Sequence, residues 1–453
     1  MQSTQTRVKA PTPGPQRGGF RKLVSTATST GILTAGIVLR VLSLFVLTIL
    51  LGRSTGANEL GALSLLLAGA ALMQSISVGG LAGAAVHKLL TSGDNVNSAL
   101  LALVSSRLVL IFPTFLIGTL LIASTEIIDS PVGIAVFFAG YAIGAFDVGE
   151  LGKSAKGHFL SMGIARILAV IVVAAPKFIA ANQGDLAGVL IWQGCEAALW
   201  QLVVLPGSGF KLRLLGSAFR QLKSGFEQVW TLRSLWLGNV LSSLAQRIDI
   251  FIVGALIGQS GVGQYSTASR PVEASVILAT SMVTVLFNGL VRSSHTPSRY
   301  ARNCRKSGRI VGLMGLVATL LLAFAGPPLI EWLYGPEFSA AAALMPIYAI
   351  STFFVFQRQF LSRLIIIEKA YNVSLVNNLT MLLCSAGLNF ALIPYFGVLG
   401  AAIAAAVAHP LSLGMSMATT KRGRRLLGLA FGGLVLSKRL VRLTAHRAID
   451  ERQ

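Results

Sequence analysis

The chain has 453 residues, 54% of them hydrophobic and 12% charged, with a formal net charge of +22. An average soluble domain is roughly 25% charged, so this composition excludes a water-soluble globular protein. Long apolar runs recurring from about residue 23 to 419 make the chain an integral membrane protein of mostly spans. The basic residues cluster between those runs and form no continuous, aromatic-interleaved face, which excludes a nucleic-acid partner. Cys195, Cys304 and Cys384 are scattered, match no metal spacing and imply no disulfide framework; no metal and no cofactor are expected.

Residues 1–22 are rich in Pro, Gly and polar side chains and read as a disordered cytoplasmic arm. The first apolar segment is too long, with Arg40 too deep inside it, for a cleaved signal peptide. At about 20 residues per span, twelve helices are predicted. The first six lie near 24–51, 60–87, 97–123, 131–152, 158–181 and 186–205, and the rest near 231–257, 262–291, 308–331, 338–367, 371–393 and 397–419. The longest connection, 206–230, is basic and reads as a linker between an N-lobe (23–205) and a C-lobe (231–419). A basic cytoplasmic tail (420–453) follows. Within it the apolar piece 426–436 is too short to cross and reads as an interfacial helix on the anionic leaflet.

One set of connections, with both termini, holds 29 of the 38 basic residues, and the opposite set holds two, Arg53 and Lys177. The positive-inside rule then puts both termini in the cytoplasm. Six spans per half give both halves one orientation, a parallel repeat. RVLSLFVLTILLG (Arg40–Gly52) and RIDIFIVGALIG (Arg247–Gly258) each run from an arginine into a glycine, a weak internal likeness. Glycines such as Gly140/Gly144, Gly254/Gly258 and Gly79/Gly83 suit close helix approach. Pro113, Pro271, Pro346 and Pro410 lie within spans and are candidate hinges.

Seven arginines remain inside the spans: Arg40, Arg107, Arg166, Arg247, Arg270, Arg358 and Arg363. A mid-bilayer charge costs roughly 2.5–3.5 kcal/mol unless it meets water or a partner, so these must mostly face inward. Arg40, Arg247 and Arg270 lie deepest and rank first as contacts for an anionic substrate, followed by Arg107 and Arg166. Five acids, Asp147, Glu150, Glu196, Asp249 and Glu273, stand against them. Arg270 and Glu273 can pair locally on one helix face. Arg247 and Asp249 point to different faces and need other partners, while Asp147 and Glu150 read as a solvated rim cluster beside Lys153 and Lys156. Asp249, Glu273, Glu196 and His409 are candidates for coupling to H⁺ or Na⁺, histidine through its reference pKa of about 6.5. Gln246, Asn288, Asn377 and Asn378 are candidates to line a cavity or bridge helices. Guanidinium groups hold phosphate bidentately, so a positive chamber between two lobes suits an amphiphile with a phosphate-bearing head whose tail stays in lipid.

The run QRIDIFIVGALIGQSGVGQYSTASR resembles the seventh-to-eighth helix region of polysaccharide flippases of the multidrug/oligosaccharidyl-lipid/polysaccharide exporter superfamily. LGRSTGANELGALSL, WLYGPEFSAAAALMPIYAI and LNFALIPYFGVLGAAIA do likewise, and the likeness runs from about 25 to 420. The resemblance implies an all-α, MATE-like membrane fold of two six-helix lobes around a central cavity. It implies a bacterial inner-membrane protein that moves undecaprenyl-pyrophosphate-linked oligosaccharide outward by alternating access, its cavity cations engaging the pyrophosphate. Membrane lipids, the lipid-linked oligosaccharide and polysaccharide polymerase or assembly proteins are the expected partners. The chain departs from the lipid II flippase branch in having twelve rather than fourteen predicted spans. Rival readings are a multidrug antiporter of the same fold, a membrane-bound sugar polymerase or transferase, and a non-transporting scaffold. The excess of arginine disfavours export of cations, and the tiny outer loops offer no catalytic constellation.

Overall fold

A computed structural model of the protein describes residues 19–79, 96–123, 130–209 and 213–432. Most of the N-terminal arm, Gly83 and Lys88, and the tail beyond residue 432 lie outside the described residues. Every element described is helical. The first half comprises α1 (Gly19–Val78), α2 (Val96–Ala123), α3 (Pro131–Ala145), α4 (Val148–Ala155), α5 (Phe159–Asn182) and α6 (Leu186–Val204). Two short helices, α7 (Arg213–Arg220) and α8 (Leu222–Thr231), lead to α9 (Arg233–Ala245), α10 (Ile248–Leu256), α11 (Gln259–Ser293) and α12 (Pro297–Tyr334). After a 3₁₀ turn at Pro336–Phe338 come α13 (Ser339–Ile367), α14 (Tyr371–Phe396), α15 (Val398–Ala418) and α16 (Lys421–Phe431).

Among the described residues ten helices are long and apolar enough to cross a membrane, or eleven when α9 and α10, bent by 47°, count as one span. α1 is itself two helices, broken at Gly56 (φ 79°, ψ −166°), and counting its two parts separately brings the described helices of this kind to the twelve expected, the second of them described as far as Gly79. Gly56 and Gly258 (φ 93°, ψ −172°) adopt the same left-handed turn, a conformation that only glycine reaches without strain. Gly56, rather than the Gly52 of the sequence likeness, is therefore the counterpart of Gly258. The candidate hinge prolines, by contrast, stay inside the continuous helices α2, α11, α13 and α15. Neighbouring helices and side chains can satisfy the carbonyl that a membrane proline frees, whereas a positive-φ turn redirects the chain.

The halves meet where α11 packs against the second half of α1. A Cβ on Gly61 would run into the Gln259 carbonyl, and one on Gly263 into the Ala57 carbonyl. Ser64 Oγ donates to Ser266 Oγ at 2.9 Å, across 202 residues of sequence. Since 202 also separates Gly56 from Gly258, these contacts straddle the pseudo-twofold axis that a parallel repeat requires. Two charges secure this end. Arg53 donates to the carbonyls of Leu333 (2.6 Å) and Trp332 at the C-terminus of α12, and Glu337 accepts the Ala57 N–H (2.9 Å) where α1 restarts. Each charge complements the helix-end dipole it faces.

Several elements differ from the sequence reading. α12 begins at Pro297, some ten residues before the predicted span, because proline suits the first helical turn and the arginine-rich stretch that follows contains no breaker. Within the 206–230 segment the described residues from Arg213 onward are almost all helical. Gly225 of α8 lies against the backbone of Ser105 and Ser106 in α2, so this connection is docked on the first half. The tail helix begins at Lys421, and its apolar side, Leu426, Leu429 and Ala430, is buried. Gly308 of α12 packs against Ala430 there, so this face is covered by protein rather than by the leaflet.

Candidate functional site

A cavity of about 590 Å³ opens between the halves. One wall comes from α1 and α3 to α6 and holds Arg40, Gln74, Asp147, Glu150 and Trp200; the other is α9. On α9 and its C-cap the residues Asn239, Ser242, Ser243 and Gln246 recur at helical spacing, giving one uncharged polar stripe on a single face. At one margin Asn239 Nδ2 donates to Ser75 Oγ (2.9 Å) and Trp236 Nε1 to the Ile76 carbonyl (2.7 Å), joining α9 to α1. Gln246 was legible in the sequence as a lining candidate. Asn239 and the two serines were not, though the polar beat of NVLSSLAQ within an apolar run carries the signal.

Of the five arginines expected to contact substrate, Arg40 lines this cavity and the others do not. Its side chain is 36% exposed, and its Nε lies 3.7 Å from Glu196 Oε1. The other Glu196 oxygen accepts from Lys177 Nζ, which also donates to Ser43 Oγ (3.0 Å) and Gln193 Oε1 (3.4 Å). Lys177 is wholly buried. The sequence reading placed it in an outer connection, and the structure places it inside α5. It lies less than two turns from the helix end, close enough to suggest snorkelling, yet it turns inward to a carboxylate on α6.

Arg107 is also fully buried. It grips Asp147 through Nε–Oδ1 (2.6 Å) and Nη2–Oδ2 (3.0 Å), and its Nη1 donates to the Val78 carbonyl (3.2 Å). This guanidinium is spent on the protein. Asp147 is correspondingly buried, and Glu150 faces Arg166 at 3.5 Å. The two acids are thus partners of arginines on other helices, with Asp147 buried and Glu150 keeping a side chain 29% exposed on the cavity. Arg166 also stacks over Trp200, 3.9 Å from the ring centre.

In the second half the helix breaks at Gln246–Arg247, so Arg247 sits at the N-terminal cap position of α10 and Asp249 in its first turn. A carboxylate is favoured at a helix N-terminus. Arg247 pairs with Glu273 at 3.0 Å, while Asp249 accepts from the Tyr265 hydroxyl and from the Ile250 N–H (2.9 Å). The local Arg270–Glu273 pair of the sequence reading is therefore replaced by a cross-helix pair. Arg270 turns to Ser64 at 3.1 Å and leaves its Nε buried without a partner. Arg358 donates to the Asn377 carbonyl (3.2 Å), and Arg363 lies 5.8 Å from the Phe287 ring centre. His409 sits in α15 with a buried Nδ1 that has no hydrogen-bond partner. Asn377 is buried and accepts from Ser416 (3.0 Å), while Asn288 is exposed. The candidate residues thus fall into separate places: Arg40 on the cavity wall with Glu196 and Lys177 buried behind it, Arg247–Glu273 and Asp249–Tyr265 around the α10 break, and Arg270 near the axis.

The sequence family described as "Polysaccharide biosynthesis protein" matches residues 50–343, more than half of the chain. A capsular polysaccharide biosynthesis protein of Staphylococcus aureus, CapF, is 25% identical over 191 residues, 42% of this chain and 48% of that protein, so the match spans about half of the relative's length. Among solved structures, lipid II flippase MurJ in an inward closed conformation superposes with a TM-score of 0.67 and 13% identity, covering 91% of each chain. A multidrug resistance transporter of the MATE family in an inward-facing conformation superposes with a TM-score of 0.63 and 14% identity, covering 85% of this chain and 94% of its own. The fold is that of the MATE and MOP transporters, and the expected all-α architecture of two lobes around a cavity holds.

Proposed function

The chain belongs to the polysaccharide biosynthesis protein family, and we propose from that premise that it is a flippase for lipid-linked oligosaccharide, specifically undecaprenyl-pyrophosphate-linked units. The observation that carries this reading is Arg40, a partly exposed guanidinium on the wall of a cavity between two halves. The pyrophosphate would meet that fork, the sugar hydroxyls would meet the uncharged stripe of α9, and the lipid tail would stay in the bilayer. Lys177 adds to the cationic excess that the arginines already give the spans.

A multidrug antiporter is the second reading, because Asp147 and Glu150 also line the cavity and acids attract organic cations. Both acids, however, are engaged by arginines. A non-transporting scaffold would show neither transport. In proteoliposomes, Arg40→Ala is expected to cut translocation of a fluorescent isoprenyl-pyrophosphate-linked sugar by about tenfold to a hundredfold, the equivalent of one charge-assisted hydrogen-bonded contact of about 1.5–3 kcal/mol. Arg40→Lys keeps the charge but loses the fork and should recover only part. Unimpaired translocation by folded Arg40→Ala would sink the assignment, and proton-driven extrusion of a lipophilic cation would favour the antiporter.

We further propose a bacterial inner-membrane location with both termini cytoplasmic, which puts the Gly56 end outside. Coupling is assigned to H⁺ or Na⁺ at Asp249, Glu273, Glu196 or His409, and polysaccharide polymerase or assembly proteins remain proposed partners. Reporter fusions after residues 220 and 300 should report cytoplasm, and one at Gly184 should report the outside. The opposite pattern would invert the orientation.

A further inference from the structure

We propose that Lys177 is a positioning residue: by neutralising Glu196 from inside the protein, it leaves Arg40 free to take an anionic head group. This inference rests on the cavity reading above and adds a residue to it. A lysine ammonium has three N–H donors, and all three of Lys177 are filled, by Glu196 Oε2, Ser43 Oγ and Gln193 Oε1. Lys177 is buried to the last atom and has no spare donor for a ligand.

Arg40 is the opposite case. It shares a hydrogen bond with the Tyr141 side chain, but its ion pair to the remaining Glu196 oxygen is long at 3.7 Å, its side chain is 36% exposed, and it lines the cavity. Ser43 stands three residues along the same α1 face, so Lys177 is anchored beside Arg40 and opposes its full capture by the carboxylate. Two cations therefore share one anion, and the cluster carries a net positive charge. When an anionic ligand draws Arg40 away, Glu196 keeps a full counter-charge in Lys177 and is not left as an unpaired buried anion, a state that would be strongly unfavourable.

Charge arithmetic makes the variants diverge. Lys177→Met leaves Glu196 with Arg40 alone, so the carboxylate holds the guanidinium and the local charge falls to zero. Glu196→Gln releases Arg40 and raises the charge. The double variant restores one free cation without the carboxylate. A purely structural Lys177–Glu196 pair would give none of this ordering.

The experiment measures the affinity of the full chain in lipid nanodiscs for farnesyl pyrophosphate, with farnesol as the uncharged control. Relative to the wild type, Lys177→Met is expected to bind about tenfold more weakly, Glu196→Gln about tenfold more tightly, and the double variant about as the wild type does. If Lys177→Met does not fold, Glu196→Gln and the double variant still decide. Wild-type affinity in folded Lys177→Met, or binding by Glu196→Gln that is no tighter, overturns the proposal. If Arg40→Ala binds as the wild type does, or the wild type prefers farnesol, the cavity reading itself fails and takes this inference with it. Loss in Arg40→Ala with no response at Lys177 and Glu196 removes this inference alone.

Discussion

Arg107→Ala is expected to destabilise the protein by about 3–5 kcal/mol, the range for removing one partner of a buried ion pair. Arg107 has no exposed surface, and its fork closes on both oxygens of a buried Asp147 while its third nitrogen reaches the end of α1. One side chain therefore ties α2 to the start of α4 and to α1. Removing it strands the Asp147 carboxylate and leaves the Val78 carbonyl short of a donor. Lysine cannot substitute, because a single ammonium cannot make the two parallel bonds. The pair Arg107→Met with Asp147→Leu should recover most of the loss, since an apolar pair of similar bulk removes both charges together. Thermal unfolding of purified protein reads the effect. Per folded molecule, transport by Arg107→Ala should stay near that of the wild type, which separates this arginine from Arg40. An unchanged unfolding temperature would mean that water or another cation already compensates Asp147.

The twelve spans were legible because a membrane helix is written locally, as about 20 apolar residues between polar breaks. The partners of the charges inside them were not, because register between helices decides who meets whom. Arg107 finds Asp147 40 residues away, Lys177 finds Glu196 19 residues away, and Arg247 finds Glu273 26 residues away. The last case shows the competition directly. Arg270 and Glu273 share a helix face, but Arg270 turns to Ser64 on α1 and the break before α10 delivers Arg247 to Glu273 in its place. Lys177 was misplaced for a related reason: near a span end, sequence cannot say whether a long side chain turns to water or to a carboxylate on the next helix. The likeness between Arg40–Gly52 and Arg247–Gly258 lies in a different register from the 202-residue offset of the contacts between the halves. Apolar residues dominate that comparison, whereas the structural equivalence is set by the backbone at Gly56 and Gly258.

That register makes the largest conformational effect testable. Ser64 and Ser266 face each other across the pseudo-twofold axis with their Oγ atoms 2.9 Å apart, so cysteines there stand at near-bonding distance. Carrier transport under the proposed mechanism requires the halves to part at this end, which the proposed orientation puts outside. In a background where Cys195, Cys304 and Cys384 are serine, the pair Ser64→Cys with Ser266→Cys should cross-link under mild oxidant and stop translocation, and reductant should restore it. Gly61→Leu in the same background should prevent the cross-link, because even its first side-chain carbon would occupy the position of the Gln259 carbonyl. The protein would then be held open at this end and transport would fall as far as with the bridge closed, by the opposite route. Translocation at the wild-type rate with the bridge demonstrably formed would exclude separation at the Gly56 end from the transport cycle. A bridge that still forms in Gly61→Leu would show that the two backbones need not touch there for the halves to close.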